Sequence, residues 1–309
     1  MSPVLPPELE RDIFEIVALS GTKCIPPLLR VAQRVKFWVE PLLYHVIVVR
    51  DEKSALRQYA SRDPAATSEH ALLTPTALTA AISRHPPAFF DQHVRHLFLD
   101  CRVYPPSALA QRNLLIAACT GVTDVYLATI QDASSLAAAL TRLPSLTRLQ
   151  ANLSVLFAGA DDLDPLTAPE IDFAVPLFRH LNHLTAFDNL AFSGSDWRAG
   201  LALLPALTHL SFTANYPAPL FADVFALCAT LRVFVVLVNT QRAFQRVHAA
   251  LPDPRAVILD SISDMLGMEN NWHRGARGLG DYWEQAEELI RLRLRALRER
   301  PEEPRIISA

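Results

Sequence analysis

The sequence predicts a mixed α/β protein: a short N-terminal module of three helices, a solenoid of strand–helix units, and a C-terminal capping helix. Its strands are expected to run parallel on a concave face, with helices behind. Three observations lead there. The phrase "LPSLTRLQANL", from Leu143, returns as "LPALTHLSFTA" from Leu204. The apolar pattern L-x-x-L-x-L recurs through the middle of the chain with a period of about 24 residues, and self-similarity at a fixed period is the mark of a repeat architecture. The chain also opens on "LPPELERDIFEIVAL", Leu5 to Leu19, a proline pair running into an amphipathic stretch.

In the opening stretch Leu9, Ile13, Phe14, Ile16 and Val17 fall on one side of a helix that starts after Pro6–Pro7, since proline is tolerated in a first turn. Two further apolar segments follow, "IPPLLRVAQRV" and "FWVEPLLYHVIVV". Residues 1–50 therefore read as a helical module and 51–92 as a helical linker and cap. Residues 93–264 read as the solenoid, and 265–309 as a loop, a capping helix and a flexible tail.

The repeats are "VRHLFLD" from Val94, "VTDVYLA" from Val122, "LTRLQAN" from Leu146, "LTAFDNL" from Leu184, "LTHLSFT" from Leu207, "LRVFVVL" from Leu231 and "PRAVILD" from Pro254. An insert, "AGADDLDPLTAPE", widens the interval before the fourth. Positions 1, 4 and 6 of each motif point inward and positions 3, 5 and 7 outward, because successive strand residues alternate faces. Between the strands the spacing turns helical, as in "SSLAAALTRL" and "LFADVFALCATL". No unit buries its apolar face alone, so neighbours must stack. A doubly wound sheet also alternates strands and helices, but its strands are apolar on both faces. Here the outward positions carry the polar His96, Asp100, Asp124, Arg148, Gln150, Asn152, Asp188, His209, Ser211 and Thr213, flanked by Phe98 and Tyr126. This mostly polar set favours one open sheet face. His96, Phe98, Asp124, Tyr126, Arg148, Gln150, Asn152, Asp188, His209 and Ser211 are the candidate target-binding residues on it.

In the last two repeats the outward positions turn apolar, at Val233, Val235, Leu237 and Ile258. A bare patch of that kind is unusual in a soluble monomer. The stretch from Met265 to Trp283, read as a loop through its glycines, is expected to fold over it. From Asp281, a suitable N-cap, Trp283, Ala286, Leu289, Ile290, Leu292 and Leu294 outline a long amphipathic helix.

Composition narrows the function. The net charge is −3 with both signs mixed along the chain, which gives no concentrated basic face for nucleic acid. Cys24, Cys101, Cys119 and Cys228 are scattered, unlike a zinc site or a disulfide framework, and a reducing cytoplasmic or nuclear compartment fits them. No secretory leader and no run long enough to span a membrane is read from the sequence. His93–His96 and His180–His183 have helix-type ligand spacing but lack a third ligand nearby. "DDLDP", from Asp161, lacks a second metal motif. No catalytic motif, cofactor or metal site is expected.

The opening resembles the F-box, in the F-box-like form common in mushroom-forming fungi. The residues that carry this are "LPPEL" (Leu5 to Leu9), Ile13–Phe14 and "LLRVAQRVKFWVEPLLY" (Leu28 to Tyr44). The family's aspartate–leucine opening of the second helix is replaced by "TKCIPPLL". The repeats resemble irregular leucine-rich repeats, mostly without the asparagine or cysteine that usually follows the strand. The resemblance implies a non-catalytic substrate receptor of a ubiquitin ligase, monomeric outside its complex. A Skp-type adaptor would bind Leu5, Pro6, Pro7, Leu9, Ile13, Phe14, Leu28 and Leu29, and a protein target would meet the concave face. The alternative is a stand-alone solenoid that binds a peptide or small molecule, with the N-terminal helices only as a cap.

Overall fold

A computed structural model describes residues 5–50, 72–73, 75–101, 106–130, 134–158, 170–188, 196–213, 218–238, 240–251, 253–260 and 265–299. The chain divides into two compact units, Met1–Thr123 and Asp124–Ala309. Both are mixed α/β, and the strand pairs within each are parallel.

The first unit begins with α1 (Pro7–Ser20), a 3-10 turn at Thr22–Cys24, α2 (Ile25–Leu28) and α3 (Gln33–Tyr44). Pro7 occupies the first turn of α1, where its missing N–H is no loss. Ala18, Ile25, Val35 and Val39 form a small buried core, with Phe14, Leu28, Leu29, Trp38, Leu42 and Leu43 packed around it. The expected third helical segment stops early. Its tail "VIVVR" is instead a strand, β1 (Val46–Arg50). The run of β-branched residues suits an extended chain, and Ile47, Val48 and Val49 are buried whichever face they point to.

β1 lies between β2 (Leu72–Leu73) and β3 (His96–Cys101), with Val48 opposite both Leu72 and Phe98. The expected helical linker contains β2, α4 (Pro75–Arg84) and α5 (Pro87–His93); its residues 51–71 lie outside the described ones. Tyr44, at the end of α3, meets Phe89 and Phe90 of α5 edge-on at 5.5 and 5.3 Å. Helix α6 (Pro106–Ala118) completes the unit.

The second unit alternates strands with short helices: β4 (Asp124–Ile130), α7 (Ser134–Leu140), β5 (Arg148–Ala151), α8 (Leu153–Phe157), a 3-10 turn at Pro176–Phe178 and β6 (His183–Ala186). Then come α9 (Trp197–Ala202), β7 (His209–Thr213), α10 (Ala218–Leu227), β8 (Val233–Val238), α11 (Gln241–Ala250) and β9 (Ala256–Asp260). The last described elements are α12 (Met265–Ala276) and α13 (Tyr282–Glu299). Strands β4 to β9 stand in chain order without reversal. Val125, Leu149, Leu184, Leu210 and Phe234 face one another across successive strands as an inner row with no solvent exposure.

In six of the seven motifs the strand begins two residues in, as the outward and inward assignments require. The fourth differs. Leu184 pairs with Leu149 and Leu210, so that repeat starts three residues earlier, at Leu181, and reads "LNHLTAF". Its outward residues are His183, Thr185 and Phe187, with Asp188 beyond the strand. Most of the insert, residues 159–169 with Asp161 to Pro165 among them, lies outside the described residues.

The outer face of this sheet is closed, contrary to the open face expected. Helices α12 and α13 lie on it, so most of the polar outward positions are buried like the apolar ones, with Arg148 and His183 partly buried. The stretch read as a loop is largely α12. Its turn comes later, where Gly278 (φ 68°) and Gly280 (φ 80°) adopt left-handed conformations that glycine takes without strain. Asp281 caps α13, its Oδ1 accepting from the amides of Trp283 at 2.9 Å and Glu284 at 3.2 Å. The apolar patch at Val233, Val235 and Leu237 is buried. α13 packs on β8 and β9, while α12 packs on β4. At the start of β9 the Arg293 guanidinium donates to the carbonyl of Ala256 at 2.5 Å.

Candidate functional site

Two outward rows cross the second unit's sheet. The first is Asp124, Arg148, His183, His209 and Val233, and the second Tyr126, Gln150, Thr185, Ser211 and Val235. Parallel register places residues of one row side by side, at the strand spacing of roughly 4.8 Å. α12 and α13 answer nearly every polar member. Trp272 Nε1 donates to Asp124 Oδ1 at 3.1 Å, and its ring meets Tyr126 at 6.2 Å. Arg148 donates to Asp281 at 2.8 Å. The hydroxyls of Thr185 and Tyr282 share a hydrogen bond of 2.5 Å. His209 Nε2 lies 2.9 Å from Glu287. Gln150 Oε1 has no hydrogen-bond partner among the described residues.

His183 and His209 stack with centroids 3.9 Å apart and planes 10° apart, and Trp283 stands edge-on to both. His183 Nδ1 is 2.6 Å from Asn182 Oδ1, and His209 Nδ1 is 2.8 Å from Thr208 Oγ1. Burial, then the neighbouring His209 and Arg148, hold His183 down at about 2 against its ordinary 6.5. Burial also lowers His209, against the opposing pull of Glu287. Both rings are neutral at pH 7. Tyr282, wholly enclosed, is raised above its ordinary value by burial.

The sequence-predicted target-binding residues thus divide. Asp124, Tyr126, Gln150, His209 and Ser211 are buried under α12 and α13, Arg148 is tied to Asp281, and none of them forms an open surface. Asp188 is fully buried and accepts from the amides of Leu153 at 2.9 Å and Ser154 at 2.6 Å, so it fixes the start of α8. Asn152 caps the same helix through Val155 N–H at 3.0 Å. In the first unit His96 meets His45 at 5.3 Å, and Phe98 lies under the Arg50 guanidinium at 5.1 Å. His180 is exposed while His183 is stacked on His209, so that pair does not converge. His183 and Thr185 were missed through the three-residue misreading of the fourth repeat. The aromatic pair and acids of α13 were the signal that a polar face needed a partner.

The N-terminal residues divide as well. Leu9, Ile13 and Ile16 are 51%, 50% and 68% exposed along one side of α1, with Leu5, Pro6 and Pro7 exposed before them. Phe37 of α3 is 78% exposed. Phe14, Leu28 and Leu29 turn the other way, into the module's own core, because a helix with two apolar sides must bury one. Glu10 and Arg34 join α1 to α3 beside this face, at 2.7 Å.

No model of a known protein family matches the chain, and no curated protein matches it. Among the described residues no helix is long and apolar enough to cross a membrane.

Proposed function

We propose that the protein is a non-catalytic receptor that docks through α1 onto a Skp-type adaptor, in the manner of F-box-like proteins with leucine-rich repeats. One observation carries this reading: the bare apolar side of α1, with Leu9, Ile13 and Ile16 in a line, on a module that already has a separate core. A helix that only capped a neighbouring repeat would bury that side. Leaving it in water has a cost that a partner offsets, and exposed apolar patches of this kind mark interaction sites. The unreversed order of parallel strands and the recurring motif support the repeat half of the reading. Its target cannot reach Gln150 or Ser211 while α12 and α13 cover them.

The test is co-purification of the full chain with a Skp-type adaptor, before and after Ile13→Asp with Ile16→Asp. Both side chains are exposed, so circular dichroism should be unchanged while binding weakens by at least about 2 kcal/mol, as for interface anchors. No binding by the unmodified chain, or full binding by the double variant, overturns the proposal. Such a result favours a stand-alone repeat protein whose N-terminal helices are a cap.

A further inference from the structure

Two imidazoles stacked face to face beside an arginine, one buried and one partly buried, are an arrangement that tolerates little added charge. His183 and His209 stack at 3.9 Å, closed off by the edge of Trp283. The groups that face them are few. From β5 comes Arg148, already paired with Asp281; from α13 and its cap come the half-exposed Glu287 and Asp281. Asn182 and Thr208, next to the rings, are neutral partners. Asp124, two strands from His183 in the same row, accepts from Trp272. Protonating both rings would place three cations side by side against two carboxylates, Asp281 on Arg148 and Glu287 on His209, which leaves His183 with none.

We propose that α13 is an acid-released strap: protonation of the His183–His209 pair detaches it and uncovers the outer sheet face of the second unit. This goes beyond adaptor docking and makes no use of the N-terminal helices. The strap's cap and first two turns, with Asp281, Tyr282, Trp283 and Glu287, lie over the histidines, while Ile290 and Arg293 are buried in its later turns, Arg293 against the start of β9. Release returns both rings to water.

The direction follows from proton counts. With the strap closed, burial first, then His209 and Arg148, hold His183 at about 2; uncovering removes the burial and moves it back up towards its ordinary 6.5. Between those values the open form binds more protons, so acid favours opening. His209 is also held low by burial, and adds in the same direction. For His183 alone the opening constant rises by up to about tenfold from pH 7.5 to 5.5, and by up to about 100-fold by pH 4.5, the limit reached when the uncovered ring regains its full 6.5.

Hydrogen–deuterium exchange on the full chain reads this directly. After correction for intrinsic rates, amides of residues 282–299 should lose up to about tenfold of their protection between pH 7.5 and 5.5, while the amides of Leu149 and Leu210 keep theirs. His183→Phe retains a flat ring and removes the titration, so most of that loss should vanish. Equal protection of α13 at both pH values in the unmodified chain overturns the proposal, as does an undiminished loss in His183→Phe. If that variant fails to fold, NMR titration of the unmodified chain decides. An apparent His183 value well below 6.5 supports the strap, and one at the ordinary value overturns it.

Discussion

Asp188 shows how one buried side chain joins two repeats. It stands beyond the end of β6, yet both its oxygens accept amides at the start of α8, which follows the neighbouring strand β5. Asp188→Ala leaves those two amides without acceptors. Urea titration should show a loss of about 2–3 kcal/mol, the range for buried polar groups stripped of a partner. Burial also raises its carboxyl above the ordinary 3.8, against the pull of its hydrogen bonds to Ser154 and Leu153. Its contribution to stability is therefore fullest below pH 3.8 and shrinks as the pH climbs through the raised value. Phe14 makes a second residue-scale case. Because it packs on Ala18, Ile25, Val35 and Val39, Phe14→Ala should melt the module by about 3 kcal/mol. Circular dichroism separates this from a loss of docking alone.

At the scale of elements, the inner row sets the outcome of substitution. Leu210→Asp puts an unpaired charge between Leu184 and Phe234 in a row with no solvent exposure. The second unit should unfold, and a soluble variant with native circular dichroism would mean that Leu210 faces outward. Six of seven repeat strands were legible because a period and an alternation leave only one register in which every inward residue is apolar. The fourth was not, since "LNHLTAFDNL" offers leucines at 181, 184 and 190, and the register from Leu184, with Phe187 inward, competes with the one from Leu181 although it turns Asn189 inward. β1 was missed because "VIVV" has neither the motif nor an alternation, being buried on both faces. That also moves the practical boundary of the N-terminal module. A cut at residue 50 removes the middle strand of β2–β1–β3, whereas a cut after Tyr44 spares it. The closed outer face was illegible for another reason. Alternation says which residues point outward, but not whether a later helix returns to cover them.

For the whole molecule, the outer face of one sheet rests on a helix distant in sequence from most of its strands. Ending the chain at Gly280 removes α13 and bares Val233, Val235 and Leu237, each no more than 4% exposed in its presence. That variant should bind a hydrophobic dye and aggregate; a soluble monomer without dye binding would show that α13 is not needed to cover β8 and β9. Chain order adds a consequence for synthesis. Every strand under α13 leaves the ribosome before α13 does, so the nascent polypeptide carries a finished sheet with an unfinished surface. Partly folded chains with exposed apolar surface are the ones that chaperones hold and that aggregate when unattended. A premature stop codon ahead of Tyr282 therefore yields a client for chaperones and proteases, and translation of the α13 codons is the step at which the second unit first becomes self-sufficient.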